Sequence, residues 1–310
     1  MILKTLLKSL IKEGVGSLDK VGLVPNVVVV RMDGGICSQM HFYLVGEMLK
    51  RRGCDVRFDL SWFRECGKDM DGRFARNYDL ERAFPCLEVK KASPLLCRLL
   101  KIGFMYHNDY FGIQESSMDW MEIVGPAYMD GYYRDSEEMY STVFKQVFRA
   151  DDSVLDKDNL KLLNEIILAN TVGSAVAVHV RRGDLSSYSK AYGMPASKIY
   201  FEKSVEIVRR MTSKAKFFVF SDEPEWCRNE LSLLFGNDDF KICDINGSER
   251  GYCDMILMSY CRHHITSQGS LGKYAALLRH ERLYDGLVLL PPNESSKEWF
   301  LRFNNCEIVN

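Results

Sequence analysis

The sequence predicts an α/β protein in which helices cover parallel β-sheets. Short continuous apolar runs, which are typical of strands buried on both faces, begin at Val27 and at Ser174. After Ser174 such runs alternate with helical patterns as far as Leu290. The 310 residues are roughly twice the length of a common domain, which indicates two domains or one large α/β unit.

The first half opens with a βαβ pattern. A strand, a helix and a second strand are predicted over 27–32, 39–50 and 56–60. The first strand ends at a polar glycine loop, and the helix ends near Gly53. Between Gly67 and Tyr140 the pattern loosens, and only a helix over 94–100 is predicted there.

From residue 154 onwards the alternation is regular. Helices are predicted over 154–169, 199–211, 224–234, 252–261 and 270–279. Strands are predicted over 174–180, 216–220, 241–243, 264–266 and 287–290. This order is typical of a doubly wound parallel sheet, so we expect an N-terminal domain over 1–160 and a C-terminal domain over 161–310.

Composition and charge exclude several classes of function. Hydrophobic residues make up 46% and charged residues 27%, which excludes a disordered, collagenous or multi-span membrane chain. The 41 basic and 42 acidic residues give a net charge of -1, so we expect no nucleic-acid partner and only a local anion site. Ten cysteines without a CxxC pair and without a secretory signal predict reduced thiols and a cytoplasmic location.

The segment 1–14 has an amphipathic helical pattern. Its apolar residues recur at helical spacing, and lysines lie between them: Ile2, Leu3, Leu6, Leu7, Leu10 and Ile11 against Lys4, Lys8 and Lys12. Such a helix either makes a peripheral contact with the anionic inner membrane leaflet or packs its apolar stripe on the domain. The sequence leaves both interpretations open.

Polar residues follow four of the predicted strands. Ligands of open parallel sheets bind beyond the carboxyl ends of the strands. The four clusters are Gly34 with Gly35, HVRRGD at 179–184, Ser221 with Asp222, and the segment 267–270. We therefore expect the binding site to be built from these loops.

The HVRRGD cluster carries the most specific chemistry. Arg181 and Arg182 are adjacent at a strand end, where two guanidinium groups can bind a pyrophosphate without a metal. Gly183 lets the backbone turn, and Asp184 can orient an arginine or accept a proton from a sugar hydroxyl. The alternative is a purely structural salt-bridge cluster.

Four motifs, taken together and in order, resemble those of the α-1,2-fucosyltransferases of glycosyltransferase family 11. HVRRGD at 179–184 resembles the HxRRxD motif, and RMDGGICSQMHFY at 31–43 resembles the N-terminal glycine signature of that family. GYYRDSEEMY at 131–140 and FFVFSDEPEW at 217–226 resemble two further family motifs. SQGSLGKYAALL at 267–278 shows a looser similarity, so the resemblance covers most of the chain.

The resemblance implies a GT-B architecture, in which two Rossmann-like domains face a central cleft. It implies an inverting, metal-independent transfer of L-fucose from GDP-fucose to a galactoside hydroxyl of an oligosaccharide or lipid-linked glycan, with no cofactor. By position, the diphosphate would be held by Arg181 and Arg182, and His179 would fix their loop. The nucleotide would lie near Ser221 and Asp222, with a phosphate near Ser270.

The acceptor side is implied to lie at Gly34, Gly35 and Gln39. Departures from the family motifs fall mainly here and in the loose last motif: Cys37, Ser38 and His41, and Lys273 with Tyr274 in place of a tryptophan pair. The donor chemistry is thus expected to be kept, while the acceptor pocket is expected to be altered.

No single residue of the sequence is recognisable as the general base that takes the proton of the acceptor hydroxyl. Asp184 and Asp33 are the candidates, although an aspartate before glycine also forms turns.

Two other functions remain open. Asp69 and Asp71 form a DxD pair of the kind that holds manganese or magnesium on a nucleotide diphosphate, and the altered glycine loop is also compatible with a non-catalytic glycan-binding or nucleotide-sugar-binding protein.

Overall fold

The computed structural model describes residues 26–68, 72, 74–109, 120–133, 136–183, 185, 194–212, 214–235 and 240–310. The chain divides into two compact units. The first comprises Met1–Gly67 and Cys86–Val147, and the second comprises Lys68–Pro85 and Phe148–Asn310. The amphipathic segment 1–14, the DxD pair at 69–71 and Asp184 lie outside the described residues.

This division differs from the one expected at residues 160 and 161. The segment 148–160 belongs to the second unit, because the helix that begins at Lys157 packs on the second sheet. The segment Lys68–Pro85 also belongs there. Phe84 packs on Phe148 with ring centroids 4.9 Å apart, which ties this segment to the second unit.

The first unit is built on a four-stranded parallel sheet with the order β2-β1-β4-β3. Its strands are β1 Val27–Arg31, β2 Asp55–Asp59, β3 Tyr106–Asp109 and β4 Ala127–Gly131. Its helices are α1 Ile36–Arg51, α2 Trp62–Glu65, α4 Pro94–Leu100 and α5 Phe144–Val147. Shorter turns of helix are Gly103–Met105, Trp120–Glu122 and the π-helical Met139–Val143.

The core of this unit follows directly from the valine run of β1. The four valines are buried, and their branched side chains suit a strand covered on both faces. Val27 and Val29 pack with Cys97 and Leu100 of α4 on one face of the sheet. The first strand lies between β2 and β4, and the glycine loop that leads into α1 follows its carboxyl end.

The second unit is built on a six-stranded parallel sheet with the order β10-β9-β8-β5-β6-β7. Its strands are β5 Ser174–Val180, β6 Ala215–Ser221, β7 Phe240–Ile242, β8 His263–Ile265, β9 Val288–Leu290 and β10 Cys306–Ile308. Its helices are α3 Leu80–Ala83, α6 Lys157–Val172, α7 Lys198–Met211, α8 Pro224–Trp226, α9 Gly251–Ser259, α10 Leu271–Leu277 and α11 Glu294–Phe300.

Shorter turns of helix complete this unit. They are the 3-10 turns Asp152–Val154, Ser232–Leu234, Ser248–Arg250 and Glu281–Leu283, and the π-helical Cys227–Leu231. The α/β class with parallel sheets is thus confirmed in both units. Among the described helices, none combines the length and the apolar character that a bilayer span requires.

The strand order determines where ligands bind. From β5 the chain proceeds outwards through β6 to β7, and then returns to the other side of β5 with β8. In open α/β sheets the crevice beside such a reversal, beyond the carboxyl ends of the strands, is the ligand site. The loops after β5 and β8 lie at this position, and the loops after β1 and β4 lie at the corresponding position in the first unit.

Candidate functional site

The loop after β5 is held by the carboxylate of Asp222, which follows β6. The backbone N–H of Arg182 donates to Asp222 Oδ1 at 3.0 Å, and that of Gly183 donates to Oδ2 at 3.1 Å. The guanidinium of Arg181 forms an ion pair with the same carboxylate, with Nη1 3.0 Å from Oδ2. Asp222 therefore fixes both the backbone of the arginine loop and one of its side chains.

The other side of this loop is fixed by Ser267, which follows β8. The backbone N–H of Arg181 donates to Ser267 Oγ at 2.9 Å, and His179 Nδ1 lies 3.1 Å from the same oxygen. Burial, together with the nearby cations Arg181 and Lys273, lowers the pKa of His179 to about 3. The ring is therefore neutral at physiological pH, and it positions the loop through hydrogen bonding.

Arg182 is held in place by stacking. Its guanidinium lies 3.8 Å above the centroid of Trp226, the last residue of α8, and its Nε lies 3.5 Å from a carboxylate oxygen of Glu223. The side chains of Arg181 and Arg182 are 23% and 25% exposed, so both are constrained yet reachable by a ligand. Two fixed guanidinium groups of this kind match the geometry and charge of a diphosphate.

Two more predicted residues follow the neighbouring strands, Ser221 at the end of β6 and Ser270 in the loop after β8. Ser221 Oγ accepts a hydrogen bond from the backbone N–H of Glu223 at 2.9 Å, so the serine shapes the turn after β6. Ser270 directly precedes α10, and its side chain makes no capping hydrogen bond. The role of Asp184 as a base remains a prediction, as do the substrate contacts assigned to Ser221, Asp222 and Ser270.

The glycine loop of the first unit is a second ordered cluster. Gln39 Nε2 donates to the carbonyl oxygen of Gly34 at 3.1 Å, and the hydroxyl of Tyr132 donates to Asp33 Oδ1 at 2.9 Å. Gly34 has φ +69°, and a Cβ on it would lie 2.9 Å from Ser38 Oγ. A side chain here would be strained, because L residues rarely adopt this backbone conformation and its Cβ would crowd the Ser38 side chain.

The environment of Asp33 bears on its candidacy as the general base. The residue is 5% exposed and accepts the hydrogen bond from Tyr132, which follows β4. Gly35 lies between this aspartate and α1, where its extended backbone starts the helix. Asp33 thus has a clear part in ordering the loop, while its part in proton transfer remains a prediction.

A polar cluster that the sequence did not indicate is formed by side chains of β1, β3 and β4. Arg31 Nη1 donates to both carboxylate oxygens of Asp130, at 2.9 and 3.2 Å. The Tyr106 hydroxyl donates to the same carboxylate at 2.7 Å, and Asn108 Nδ2 donates to the tyrosine oxygen at 3.1 Å. One carboxylate thus connects side chains of three strands of the first sheet.

Three further residues hold these loops in place, although the sequence did not indicate this role: Ser267, Trp226 and Tyr132. Ser267 lies in the predicted loop 267–270, and Trp226 and Tyr132 lie inside two of the family motifs. Their partners are distant along the chain, and only the strand order brings them together. In the part of the chain that the structure describes, no group of three or more His, Cys, Asp or Glu side chains is placed to hold a metal ion.

Comparison with known proteins places the chain in a family. The model of Glycosyl transferase family 11 matches residues 87–304, a range that contains the arginine loop, Asp222 and Ser267. The chain belongs to glycosyltransferase family 11. Members of this family transfer a sugar from a donor to an acceptor, so this family 11 protein is a glycosyltransferase.

Two relatives show the kind of transfer. The enzyme is 26% identical over 300 residues to an α-1,2-colitosyltransferase of Escherichia coli, covering 91% of this chain and 97% of that one. It is 35% identical over 105 residues to galactoside α-(1,2)-fucosyltransferase 2 of Mus musculus, covering 33% of this chain and 30% of that one. This family 11 enzyme thus performs fucosyltransferase-like glycosyl transfer.

Solved structures of low sequence identity were also found. The fucosyltransferase NodZ from Bradyrhizobium has a TM-score of 0.41 and 16% identity, over 82% of this chain and 92% of that one. The ADP-heptose lipopolysaccharide heptosyltransferase II of E. coli has a TM-score of 0.45 and 11% identity, over 91% of this chain and 89% of that one.

Proposed function

We propose that this enzyme transfers L-fucose from GDP-fucose to a galactoside hydroxyl of a glycan, forming an α-1,2 linkage with inversion and without a metal. The observation that carries the proposal is the arginine pair at the end of β5. Arg181 and Arg182 are fixed by Asp222, Ser267 and Trp226, and both remain reachable.

The charge of the leaving group explains why such a pair would accelerate transfer. When the bond between fucose and GDP breaks, negative charge develops on the β-phosphate. Cations that are already held in position stabilise this charge without reorganising, and such preorganised stabilisation is often the largest contribution to catalysis. A divalent metal would supply the same charge, so two guanidinium groups make it dispensable.

The first unit would supply the acceptor side. Gly34 and Gly35 form the ordered loop after β1, and Gln39 of α1 donates a hydrogen bond to it. Asp33 or Asp184 would accept the proton of the attacking hydroxyl. The family model begins at residue 87, so this assignment depends on the glycine motif at 31–43 and on the geometry of its loop. The acceptor is an oligosaccharide or a lipid-linked glycan.

The E. coli relative favours a second donor. That relative is a colitosyltransferase, and it matches this chain over nearly its whole length. A donor screen should therefore contain a colitose nucleotide beside GDP-fucose. A metal-dependent mechanism through Asp69 and Asp71 is the remaining alternative, and it predicts loss of transfer in chelator.

Removal of each arginine tests the proposal. Arg181→Ala or Arg182→Ala would delete a charge-assisted hydrogen bond of about 1.5 to 3 kcal/mol to the leaving group, so transfer should fall at least roughly tenfold to a hundredfold. Arg228→Ala is the matched control, because this arginine is 42% exposed and paired with Glu225 and Asp244. Circular dichroism would check that each variant folds. Wild-type rates in both loop variants would contradict the assignment.

A further inference from the structure

A tyrosine hydroxyl links the loop after β4 to the carboxylate of Asp33. Tyr132 directly follows β4, and Asp33 is the second residue after β1, the neighbouring parallel strand. The Tyr132 hydroxyl donates to Asp33 Oδ1 at 2.9 Å. Both residues thus lie just beyond the carboxyl ends of adjacent strands, where ligands of parallel sheets bind.

These two residues differ in their access to solvent. Asp33 is 5% exposed, whereas Tyr132 is 41% exposed. The hydrogen bond between them is partly buried, while the contact of the same hydroxyl with Ser38 Oγ, at 3.0 Å, is exposed. A sugar hydroxyl can therefore reach the Tyr132 oxygen, and behind that oxygen lies a carboxylate that is nearly closed to solvent.

The tyrosine ring packs on helix α1. Its centroid lies 5.0 Å from that of Phe42, and it stacks on His41 with centroids 6.3 Å apart and an interplanar angle of 18°. A Cβ on Gly34 would lie 3.0 Å from the Tyr132 hydroxyl oxygen, so this oxygen borders the glycine loop. Ser38 and His41, which depart from the family motif, thus both lie against a tyrosine that is fixed beside the loop we assign to the acceptor.

The burial of Asp33 favours an indirect route for the acceptor proton. A general base must lie within hydrogen-bonding reach of the proton that it removes, directly or through one intervening hydroxyl group. Direct contact would require the sugar to enter the nearly closed space around the carboxylate. The Tyr132 hydroxyl has the two properties that a relay needs, because its proton is already directed at Asp33 and its oxygen can accept another hydrogen bond.

We infer that Tyr132 contacts the attacking hydroxyl of the acceptor and relays its proton to Asp33. The inference rests on the proposed function, and it makes Asp33 the final proton acceptor. The acceptor oxygen forms its bond to the fucosyl carbon while the bond from that carbon to the β-phosphate oxygen breaks, and GDP leaves with the electron pair. In the same step the acceptor proton passes to the Tyr132 oxygen, and the Tyr132 proton passes to the carboxylate. The tyrosine is therefore neutral before and after the transfer.

Removal of the hydroxyl tests the relay. Tyr132→Phe keeps the ring that packs on α1, and general base catalysis typically contributes a factor of about 10² to 10⁴, so kcat for transfer from GDP-fucose to a galactoside should fall at least roughly a hundredfold. The KM for GDP-fucose should stay unchanged, and Asp33→Asn should have the same effects. Tyr133→Phe is the matched control, because the buried Tyr133 hydroxyl donates to the His107 carbonyl oxygen at 3.0 Å. Its kcat should stay near that of the wild type.

The double variant distinguishes a relay from two separate structural roles. Residues that act as one unit have effects that do not add, because the loss of either one already breaks the proton route. Tyr132→Phe combined with Asp33→Asn should therefore be no slower than either single variant. Melting temperatures would show that the variants fold.

A second measurement requires no variant to fold. Single turnovers of the wild-type chain with GDP-fucose and a galactoside would be followed in mixtures of H₂O and D₂O. The rate should depend on the deuterium fraction along a curve, because two protons move in one step. A linear or flat dependence would refute the relay.

The outcomes separate the inference from the proposed function. If the wild-type chain transfers fucose and either Tyr132→Phe or Asp33→Asn transfers it at the same rate, the relay is refuted and the proposed function stands. If the two losses multiply in the double variant, the residues act independently and the relay is again refuted. If the wild-type chain does not transfer fucose, both the proposed function and the inference are refuted.

Discussion

The replacement Asp222→Asn tests whether one carboxylate organises the donor site. The substitution keeps the shape of the side chain but removes its charge and one acceptor oxygen. Asp222 accepts hydrogen bonds from two backbone N–H groups, of Arg182 and Gly183, and forms the ion pair with Arg181. In the variant one of these N–H groups faces an amide donor, and the guanidinium loses its anchor.

The free-energy cost of the substitution follows from these contacts. A hydrogen bond to a charged group is worth about 1.5 to 3 kcal/mol. The Asp222 carboxylate is only 14% exposed, so water cannot readily replace a lost hydrogen bond there. Losing one such bond and weakening the other costs about 3 kcal/mol. This corresponds to roughly a hundredfold loss in kcat/KM and to a melting temperature lower by about 6 to 12 °C.

The assay compares Asp222→Asn with Glu223→Gln, which makes the same chemical change at the next residue. Glu223 is 40% exposed and lies 3.5 Å from Arg182 Nε, so its replacement should cost at most about 1 kcal/mol. Both variants would be measured for kcat/KM with respect to the donor and for thermal unfolding. Equal effects of the two substitutions, or an Asp222→Asn rate within twofold of the wild type, would refute the reasoning.

Three further predictions follow from other parts of the chain. Gly34→Ala should lower transfer at least roughly tenfold, because L residues rarely adopt φ +69° and the added Cβ would lie 2.9 Å from Ser38 Oγ. The arginine loop should still bind GDP with wild-type affinity, and unchanged transfer would contradict this prediction. Burial raises the pKa of Asp254 from 3.8 to about 7, so the folded chain loses stability as pH rises from about 4 through about 7, by about 4 kcal/mol at most. Asp254→Asn should remove that loss, and a variant whose unfolding depends on pH as in the wild type would exclude Asp254 as its origin. Deletion of residues 1–14 should reduce co-sedimentation with anionic vesicles without lowering transfer to a free oligosaccharide, and an unfolded truncated chain would favour packing on the domain.

The fold could be predicted where strands are buried on both faces. The strand over 174–180 was predicted at its true bounds, because a strand covered by helices on both sides is apolar throughout. The strands β3 and β4 were missed. The sequence of β3 is YHND at the edge of its sheet, and β4 contains Asp130, whose charge is paired with Arg31. Neither segment shows the apolar run by which strands are recognised.

Helix boundaries show a second limit of sequence patterns. The segment 224–234 was predicted as one helix, whereas the structure has the short helix Pro224–Trp226, the π-helical Cys227–Leu231 and the 3-10 turn Ser232–Leu234. Apolar spacing reports which side of a segment is buried. It does not distinguish hydrogen bonding to the third, fourth or fifth residue along the chain.

The charged residues of the candidate site could be predicted from the sequence, but the residues that hold them in place could not. The arginine pair was predicted because two adjacent guanidinium groups at a strand end can bind a pyrophosphate through paired hydrogen bonds. The contact of Ser267 with the backbone of Arg181 spans 86 residues, and that of Tyr132 with Asp33 spans 99. Such pairs form because β8 lies beside β5 and β4 beside β1, and this order is not encoded in local spacing.

We propose that this chain transfers fucose from GDP-fucose without a metal, while the arginine pair holds the diphosphate. The most direct test is transfer of labelled fucose from GDP-fucose to a galactoside acceptor in excess EDTA, with the linkage and anomeric configuration of the product determined by NMR. We expect an α-1,2-linked product formed with inversion at an undiminished rate. Loss of transfer in EDTA that manganese restores, or binding of GDP-fucose without any turnover, would contradict it.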